Sequence, residues 1–331
     1  MSETFKAYRV KENNLKFTRS IENRSISELP KGDVLINVHY TSLNYKDVLS
    51  CTGNKTVTRH YPHTPGIDAA GVVVSSKVSH IKKNDKVIIT SFDLGANTDG
   101  GFGQFIRVPA DWVFPLPEGL SLRESMIFGT AGFTAALSVS FINDYLKGEK
   151  KRILVSGASG GVGSISVALL SFLGYEVVAS TGKIKSIEFL KKIGAYEIIK
   201  REDIVDKLNR TLLKEQWSGA IDTVGGKTLE NIIKSTSKRG IIVSAGMVSS
   251  PKLDISVYPF ILRGIHLIGT GASEVNLKKR TQIWNLISNK WRLKILDDIC
   301  TEINMNEIDA YIDNFINGSQ IGRVIVNMKN D

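Results

Sequence analysis

One stretch, Ser156-Gly157-Ala158-Ser159-Gly160-Gly161-Val162-Gly163, constrains the folding of this 331-residue chain more than any other. It follows the apolar run Ile153-Leu154-Val155 and opens the apolar segment Ser164 to Leu173. The order is therefore strand, glycine turn, helix. Against the pattern G-x-G-x-x-G, Ala158 holds the first glycine position, and Gly160 and Gly163 hold the second and third. Gly160 lets the backbone approach a pyrophosphate, Gly163 lets helix and strand pack closely, and the helix N-terminus receives the anion. The stretch reads as a dinucleotide-binding turn. A plain glycine-rich connection is the competing reading.

The surrounding sequence alternates in the same way. Strands are expected at Glu176 to Ser180, Ala220 to Val224 and Ile241 to Ala245, with helices at Ser164 to Leu173 and Ile184 to Ile193. Such alternation predicts a parallel sheet covered by helices on both faces. The first third is β-rich instead, with strands expected at Val34 to Tyr40, Gly71 to Val74 and Lys86 to Thr90. A helix is expected over Leu122 to Tyr145, interrupted by Gly129 and Gly132. Another is expected around Lys278 to Ser288, before a last strand at Arg323 to Val326. At this length two domains are the expectation. No run of 18 apolar residues occurs, and the start, Met1 to Lys6, has no signal-peptide character, so a soluble cytoplasmic protein is expected.

The strand after the glycine turn ends Ala179-Ser180-Thr181-Gly182-Lys183. A site preferring NAD would carry Asp or Glu there to hold the ribose 2′-hydroxyl. Small hydroxyls, Lys183 and Lys185 suit a dianionic 2′-phosphate instead, and the missing carboxylate removes a repulsion. NADPH is the expected cofactor, although an N-cap beside a solvated lysine would look the same.

Several segments extend the comparison to nearly the whole chain. They are Ser42 to Asp47, Pro65-Gly66-Ile67-Asp68, Gly129 to Ala135, Gly157 to Ser164, Ala220 to Gly225, Pro259 to Arg263 and Gly322-Arg323. In these the chain resembles the medium-chain dehydrogenase/reductase superfamily, and within it the zinc-free acryloyl-CoA reductase and quinone oxidoreductase branch. The resemblance implies an α/β architecture: a Rossmann, doubly wound parallel sheet domain plus a mainly β GroES-like catalytic domain. The expected boundaries are 1–124 for the first part of the catalytic domain, 125–270 for the NADPH-binding domain and 271–331 for the return segment. It implies cofactor contacts from Tyr45, Ser159, Gly160, Gly161, Val162, Thr181, Gly182, Lys183, Arg201, Met247 and Ile261. It also implies a homodimer joined through the Rossmann sheets. Lys183 replaces the arginine usual in the branch, which keeps the charge but loses the planar fork. Gly269-Thr270-Gly271-Ala272-Ser273 lacks the usual Asp-Ser, which leaves one nicotinamide-side contact open.

Zinc members of the superfamily carry a cysteine ligand near Asn44-Tyr45-Lys46-Asp47 and a Gly-His-Glu segment where this chain has Gly66-Ile67-Asp68. Ile67 cannot ligate zinc, and two cysteines, Cys51 and Cys300, cannot build a four-cysteine structural lobe. No metal is expected. Reduction of a polarised double bond needs none: it requires orientation of two partners, fixed donors for a developing oxyanion, and a proton source.

Tyr45 and Asn44 are the catalytic candidates. Tyr45 would act through its ring or its hydroxyl; Asn44 would donate to an enolate or stabilise a turn. Asp47 is expected to cap the helix that follows. Arg59-His60 is a candidate for a CoA phosphate. The substrate reading is an enoyl thioester, acryloyl-CoA, with quinone reduction as the alternative. A non-catalytic NADPH-binding protein is the third reading. The formal charge of +10 is scattered in short clusters without aromatic interleaving, so a solvated basic surface is favoured over a nucleic-acid site.

Overall fold

The computed structural model describes residues 4–149, 151–206 and 208–329. The chain forms two compact units, residues 1–130 with 300–331, and residues 131–299.

The first unit opens with the antiparallel hairpin β1 (Thr4–Asn13) and β2 (Lys16–Ser25), then β3 (Val34–Leu43) and helix α1 (Tyr45–Cys51). There follow β4 (Asp68–Ser76), β5 (Lys86–Thr90), β6 (Phe105–Val108), β7 (Phe114–Pro115) and the start of helix α2 (Leu122–Tyr145), which from Ala131 on belongs to the second unit. The second unit contains β8 (Arg152–Val155), α3 (Gly161–Phe172), β9 (Glu176–Thr181), α4 (Ile187–Lys192) and β10 (Glu197–Lys200). It continues with β11 (Trp217–Asp222), α5 (Gly226–Ser235), β12 (Thr236–Ser244), α6 (Tyr258–Arg263), β13 (His266–Gly269), α7 (Leu277–Asn285) and α8 (Leu296–Ile299). The chain then returns to the first unit as β14 (Cys300–Asn304), α9 (Ile308–Ile316) and β15 (Arg323–Asn327).

In the first unit a mixed sheet runs β14-β15-β3-β4-β5-β7, with β6 also pairing β3. Alternation along β3, where Val34, Ile36 and Val38 are fully buried, sends one face into a core shared with Val10, Ile89, Phe102 and Val324. Asp68 opens β4 opposite Thr90, the last residue of β5, and Ser42 near the end of β3 bonds its carboxylate. One end of the sheet therefore gathers the start of β4, the exit of β3 into α1 and the exit of β5.

The second unit holds six parallel strands in the order β10-β9-β8-β11-β12-β13. This is the doubly wound arrangement expected from the sequence, with β8 and β11 central and the glycine turn leaving β8 between β9 and β11. The short apolar strands are continuous in burial, as a sheet covered on both faces requires: Ile153, Leu154 and Val155 have no exposed surface, nor do Val177, Val178 and Ala179.

Two boundaries differ from expectation. The return to the first unit comes at Cys300 and not at 271, because α7 and α8 belong to the second unit, where Ile283 and Trp284 are buried and Trp284 lies 6.0 Å from Phe133. Division at Thr130 likewise falls later than 124. Helix α2 breaks at Gly129 alone (φ 50, ψ −154), while Gly132 remains helical. This helix is long and apolar enough to span a membrane by composition, but 89% of its apolar window is buried, as in a core helix.

Candidate functional site

The glycine turn folds as its residues dictate. Gly157 takes a left-handed φ of +57, Gly160 is the N-cap of α3, and a β-carbon on Gly163 would stand 2.3 Å from the Gly157 carbonyl oxygen. Gly163 thus permits the close helix–strand approach assigned to it. The motif gave the first glycine position to Ala158, yet the left-handed residue is Gly157, one position earlier. A β-carbon on Gly160 would meet nothing closer than the Gly157 carbonyl oxygen at 3.4 Å, so the space beside its backbone is open to a ligand.

Ser159 and Thr181 come together as a hydroxyl ladder at the end of β9. Ser159 Oγ lies 3.2 Å from Thr181 Oγ1, which lies 3.1 Å from Ser186 Oγ and accepts from the Lys183 amide at 3.0 Å. Lys200 pairs with Thr181 across β10 and β9, which brings the next residue, Arg201, to the same strand ends. Arg201 closes over Gly182, where a β-carbon would stand 2.9 Å from Nη2. Burial, and then Arg201, lower the pKa of the Lys183 ammonium. Two cations and a set of small hydroxyls converge where a ribose-bound phosphate would need them, and the donor set fits NADPH.

Met247 lines a cavity of about 310 Å³ with Gly225, Leu229, Pro251 and Leu253. Ile261 is exposed on α6 and is not among the residues lining this cavity.

In the first unit a buried polar cluster lies behind Tyr45. Tyr45 is the first residue of α1 and is exposed; Asn44, its N-cap, is buried. Asn44 Nδ2 donates to Asp68 Oδ2 at 2.9 Å and to Asp47 Oδ2 and the Ser42 carbonyl at 3.3 Å, while Asn44 Oδ1 accepts from Arg323 Nη1 at 3.1 Å. These inward bonds occupy the amide on both sides. Of the two roles expected for Asn44, the turn-stabilising one is the one these inward bonds support.

Asp47 does more than cap. Its Oδ2 accepts from the Asn44 amide at 2.8 Å, and its Oδ1 accepts from the amides of Gly66 and Ile67 at 3.1 and 2.8 Å, which fixes the loop leading into β4. Burial, reinforced by Asp68, pushes its carboxyl up to about 7. Asp68 accepts from Ser42, Asn44 and both the amide and hydroxyl of Thr130. Arg323, 2% exposed, donates to the Ile127 carbonyl at 2.8 Å. Gly129 is required at this junction: a β-carbon would stand 2.5 Å from Asp68 Oδ2 and 3.0 Å from Arg323 Nη2. The roles of Asp68, Thr130 and Arg323 were missed from sequence, although all three lie in segments that carry the family resemblance. Arg59 and His60 are exposed in this unit.

The positions equivalent to zinc ligands do not fit a metal. Ile67 presents a buried hydrocarbon side chain, and both carboxylates spend their oxygens on amides and hydroxyls. Among the described residues no three His, Cys, Asp or Glu side chains gather around a common point.

Comparison with known proteins agrees with this architecture. The family described as Alcohol dehydrogenase GroES-like domain matches residues 30–118, and that described as Zinc-binding dehydrogenase matches residues 161–289. A Bacillus subtilis protein provisionally named quinone oxidoreductase YhfP is 40% identical over 330 residues, covering 99% of this chain and 100% of its own length. Its crystal structure, with NAD bound, superposes with a TM-score of 0.94 over 98% of this chain and all of that one. Acrylyl-CoA reductase AcuI of Ruegeria pomeroyi is 35% identical over 318 residues, 96% of each chain. The Salmonella enterica oxidoreductase yhdH, solved in complex with NADP, is 37% identical with a TM-score of 0.94, covering 98% of this chain and 100% of that one. With two matched domains in order and relatives aligned end to end, the chain belongs to the medium-chain dehydrogenase/reductase superfamily of oxidoreductases, in the branch that includes these acrylyl-CoA reductases and quinone oxidoreductases.

Proposed function

We propose that this protein is a metal-independent, NADPH-dependent reductase of an enoyl thioester, converting acryloyl-CoA to propanoyl-CoA. The observation that carries the cofactor choice is the convergence of Lys183 and Arg201 on the hydroxyl-lined end of β9. Relatives have been solved with NADP and with NAD, so the chain's own residues decide, and two cations select the 2′-phosphate.

Charge supports a phosphorylated acceptor. The first unit carries 18 Lys and Arg against 18 Asp and Glu; the second carries 25 against 15, so the whole formal excess of +10 belongs to the dinucleotide-binding unit. A field of that sign favours NADPH and CoA thioesters over neutral ligands.

Bound NADPH supplies a hydride for the β-carbon of the acceptor. The protein's task is then to orient the acceptor and stabilise negative charge on the thioester oxygen while the α-carbon takes a proton. Tyr45 is the exposed hydroxyl donor offered for that charge, held in place by the Asn44–Asp68–Arg323 network beneath it. Quinone reduction is the second reading, supported by the name of the Bacillus subtilis relative. A homodimer is part of the proposal: β13 is one of the two edge strands of the six-stranded sheet, and Ile261 and Leu262 are exposed on the neighbouring α6.

The test follows NADPH absorbance on addition of acryloyl-CoA or 1,4-benzoquinone, with NADH in parallel. Oxidation by acryloyl-CoA with weak use of NADH is the expected result. Turnover with quinone alone selects the second reading, and NADPH binding without turnover leaves a non-catalytic binding protein.

A further inference from the structure

Asp222 is a buried carboxylate that the proposed reaction does not use. It ends β11, has no exposed surface, and lies where three strand ends meet. Its Oδ1 accepts from Ser156 Oγ at 2.6 Å and from the Val224 amide at 3.3 Å; its Oδ2 accepts from the Gly225 amide at 2.8 Å. Ser156, just past β8, accepts in turn from the Thr223 amide at 3.0 Å, and Thr223 Oγ1 donates to the Ser156 carbonyl at 3.0 Å.

These bonds reach both loops implicated in cofactor binding. A β-carbon on Gly157 would stand 2.3 Å from Thr223 Oγ1, so the glycine turn after β8 rests directly on the turn after β11. That second turn rests on the loop after β12: the Ala245 amide donates to the Asp222 carbonyl at 2.7 Å, the Ser249 amide to the Val224 carbonyl at 2.8 Å, and a β-carbon on Gly225 would stand 3.1 Å from Met247 Cα. Gly225 itself has φ +75, a conformation held by the bond from its amide to Asp222. A carboxylate satisfies all three donors at once. An amide of the same shape would turn an N–H group toward one of them, leaving a buried donor opposed to a donor.

We propose that Asp222 is a positioning residue for the dinucleotide: it sets the spacing between the Ser156–Gly163 turn and the Gly225–Met247 wall, and so the affinity for the pyrophosphate-bearing body shared by NADPH and NADH. It does this without contacting the cofactor. The inference rests on the dinucleotide-binding reading above. It differs from the Lys183–Arg201 site in acting on both cofactors alike.

The experiment measures dissociation constants for NADPH, NADH and ADP-ribose by fluorescence titration and calorimetry, in the full chain and in D222N and S156A, with circular dichroism and thermal melting alongside. D222N is expected to raise all three constants by a common factor of about ten, with kcat at saturating NADPH within twofold of wild type. S156A is expected to raise them by a smaller common factor, and the double variant to add little to D222N. Unchanged constants in folded D222N, or a lowered melting temperature without a change in affinity, overturn the inference. Should D222N fail to fold, S156A decides by the same criterion. A wild-type chain that binds no dinucleotide removes the cofactor reading and this inference together. A wild type that binds, with both variants binding equally well, removes only this one.

Discussion

The guanidinium of Arg201 lies against the backbone of Gly182: a β-carbon there would stand 2.9 Å from Nη2 and 3.1 Å from Cζ. Arg201 also lowers the pKa of the Lys183 ammonium, adding to the effect of burial. Adjacent cations repel, and a dianionic phosphate between them reverses the sign of that interaction. A charge-assisted hydrogen bond contributes about 1.5–3 kcal/mol, which is roughly 10- to 100-fold in affinity. K183A and R201A are each expected to raise KM for NADPH by that factor and to change KM for NADH less than about threefold. Steady-state kinetics with both cofactors checks this; equal losses for the two would remove the phosphate assignment.

The parts of this arrangement that sequence revealed are those with a local signature. Strand, glycine turn and helix announced themselves because Gly160 and Gly163 occur at fixed offsets within one continuous segment. Lys183 was legible because the end of β9 lies a predictable distance beyond that turn. The polar cluster was not legible, because Asn44, Asp68, Thr130 and Arg323 come from four separated segments and are joined only by tertiary packing. Asn44 illustrates the difficulty: an exposed amide and an inward-facing one have the same sequence, and only the partners distinguish donor from turn. The position of the return to the first unit was obscured for a related reason. Helices α7 and α8 are amphipathic like any surface helix, and nothing local says which unit they cover.

Arg323 is a cation buried within a cluster containing two carboxylates. Burial lowers its pKa while Asp68 raises it, and its guanidinium also donates to the Ile127 carbonyl and to Asn44. Removing the charge leaves Asp47 and Asp68 buried without it, a change that costs about 3–5 kcal/mol in comparable buried pairs. R323M is therefore expected to lower the free energy of unfolding at pH 7 by that amount, read from the urea midpoint at unchanged m-value. A loss below about 1 kcal/mol would mean that the carboxylates are satisfied by Ser42, Asn44, Thr130 and the amides alone.

Asp47 gives the cluster a pH dependence whose sign follows from its shift. Its carboxyl moves from an ordinary 3.8 to about 7 on folding, through burial and then through Asp68. Between those values the folded chain holds a proton that the unfolded chain has released, so stability falls as pH rises through the interval and levels off above about 7. The slope contributed by one such group is at most about 1.4 kcal/mol per pH unit. The difference in unfolding free energy between wild type and D47N, measured from about pH 5 to 8, is expected to move against wild type as pH rises. A difference independent of pH would show that Asp47 is ionised throughout that range.

The concentration of positive charge on the dinucleotide-binding unit predicts how the reaction responds to salt. Twenty-five Lys and Arg against fifteen Asp and Glu produce a field that acts on ligands before contact, and that field is screened over a Debye length of about 10 Å at 0.1 M salt. Acryloyl-CoA carries several phosphate charges and 1,4-benzoquinone carries none. Raising sodium chloride from about 20 to about 300 mM is therefore expected to lower kcat/KM for acryloyl-CoA by roughly tenfold at saturating NADPH, within the range over which electrostatic steering acts on association rates. For benzoquinone the same change is expected to be less than about twofold. Saturating NADPH in both arms separates the acceptor's response from the cofactor's. Parallel salt dependence for the two acceptors would assign the effect to the cofactor or to the fold. A flat response for both would show that the excess charge lies where approaching ligands do not encounter it.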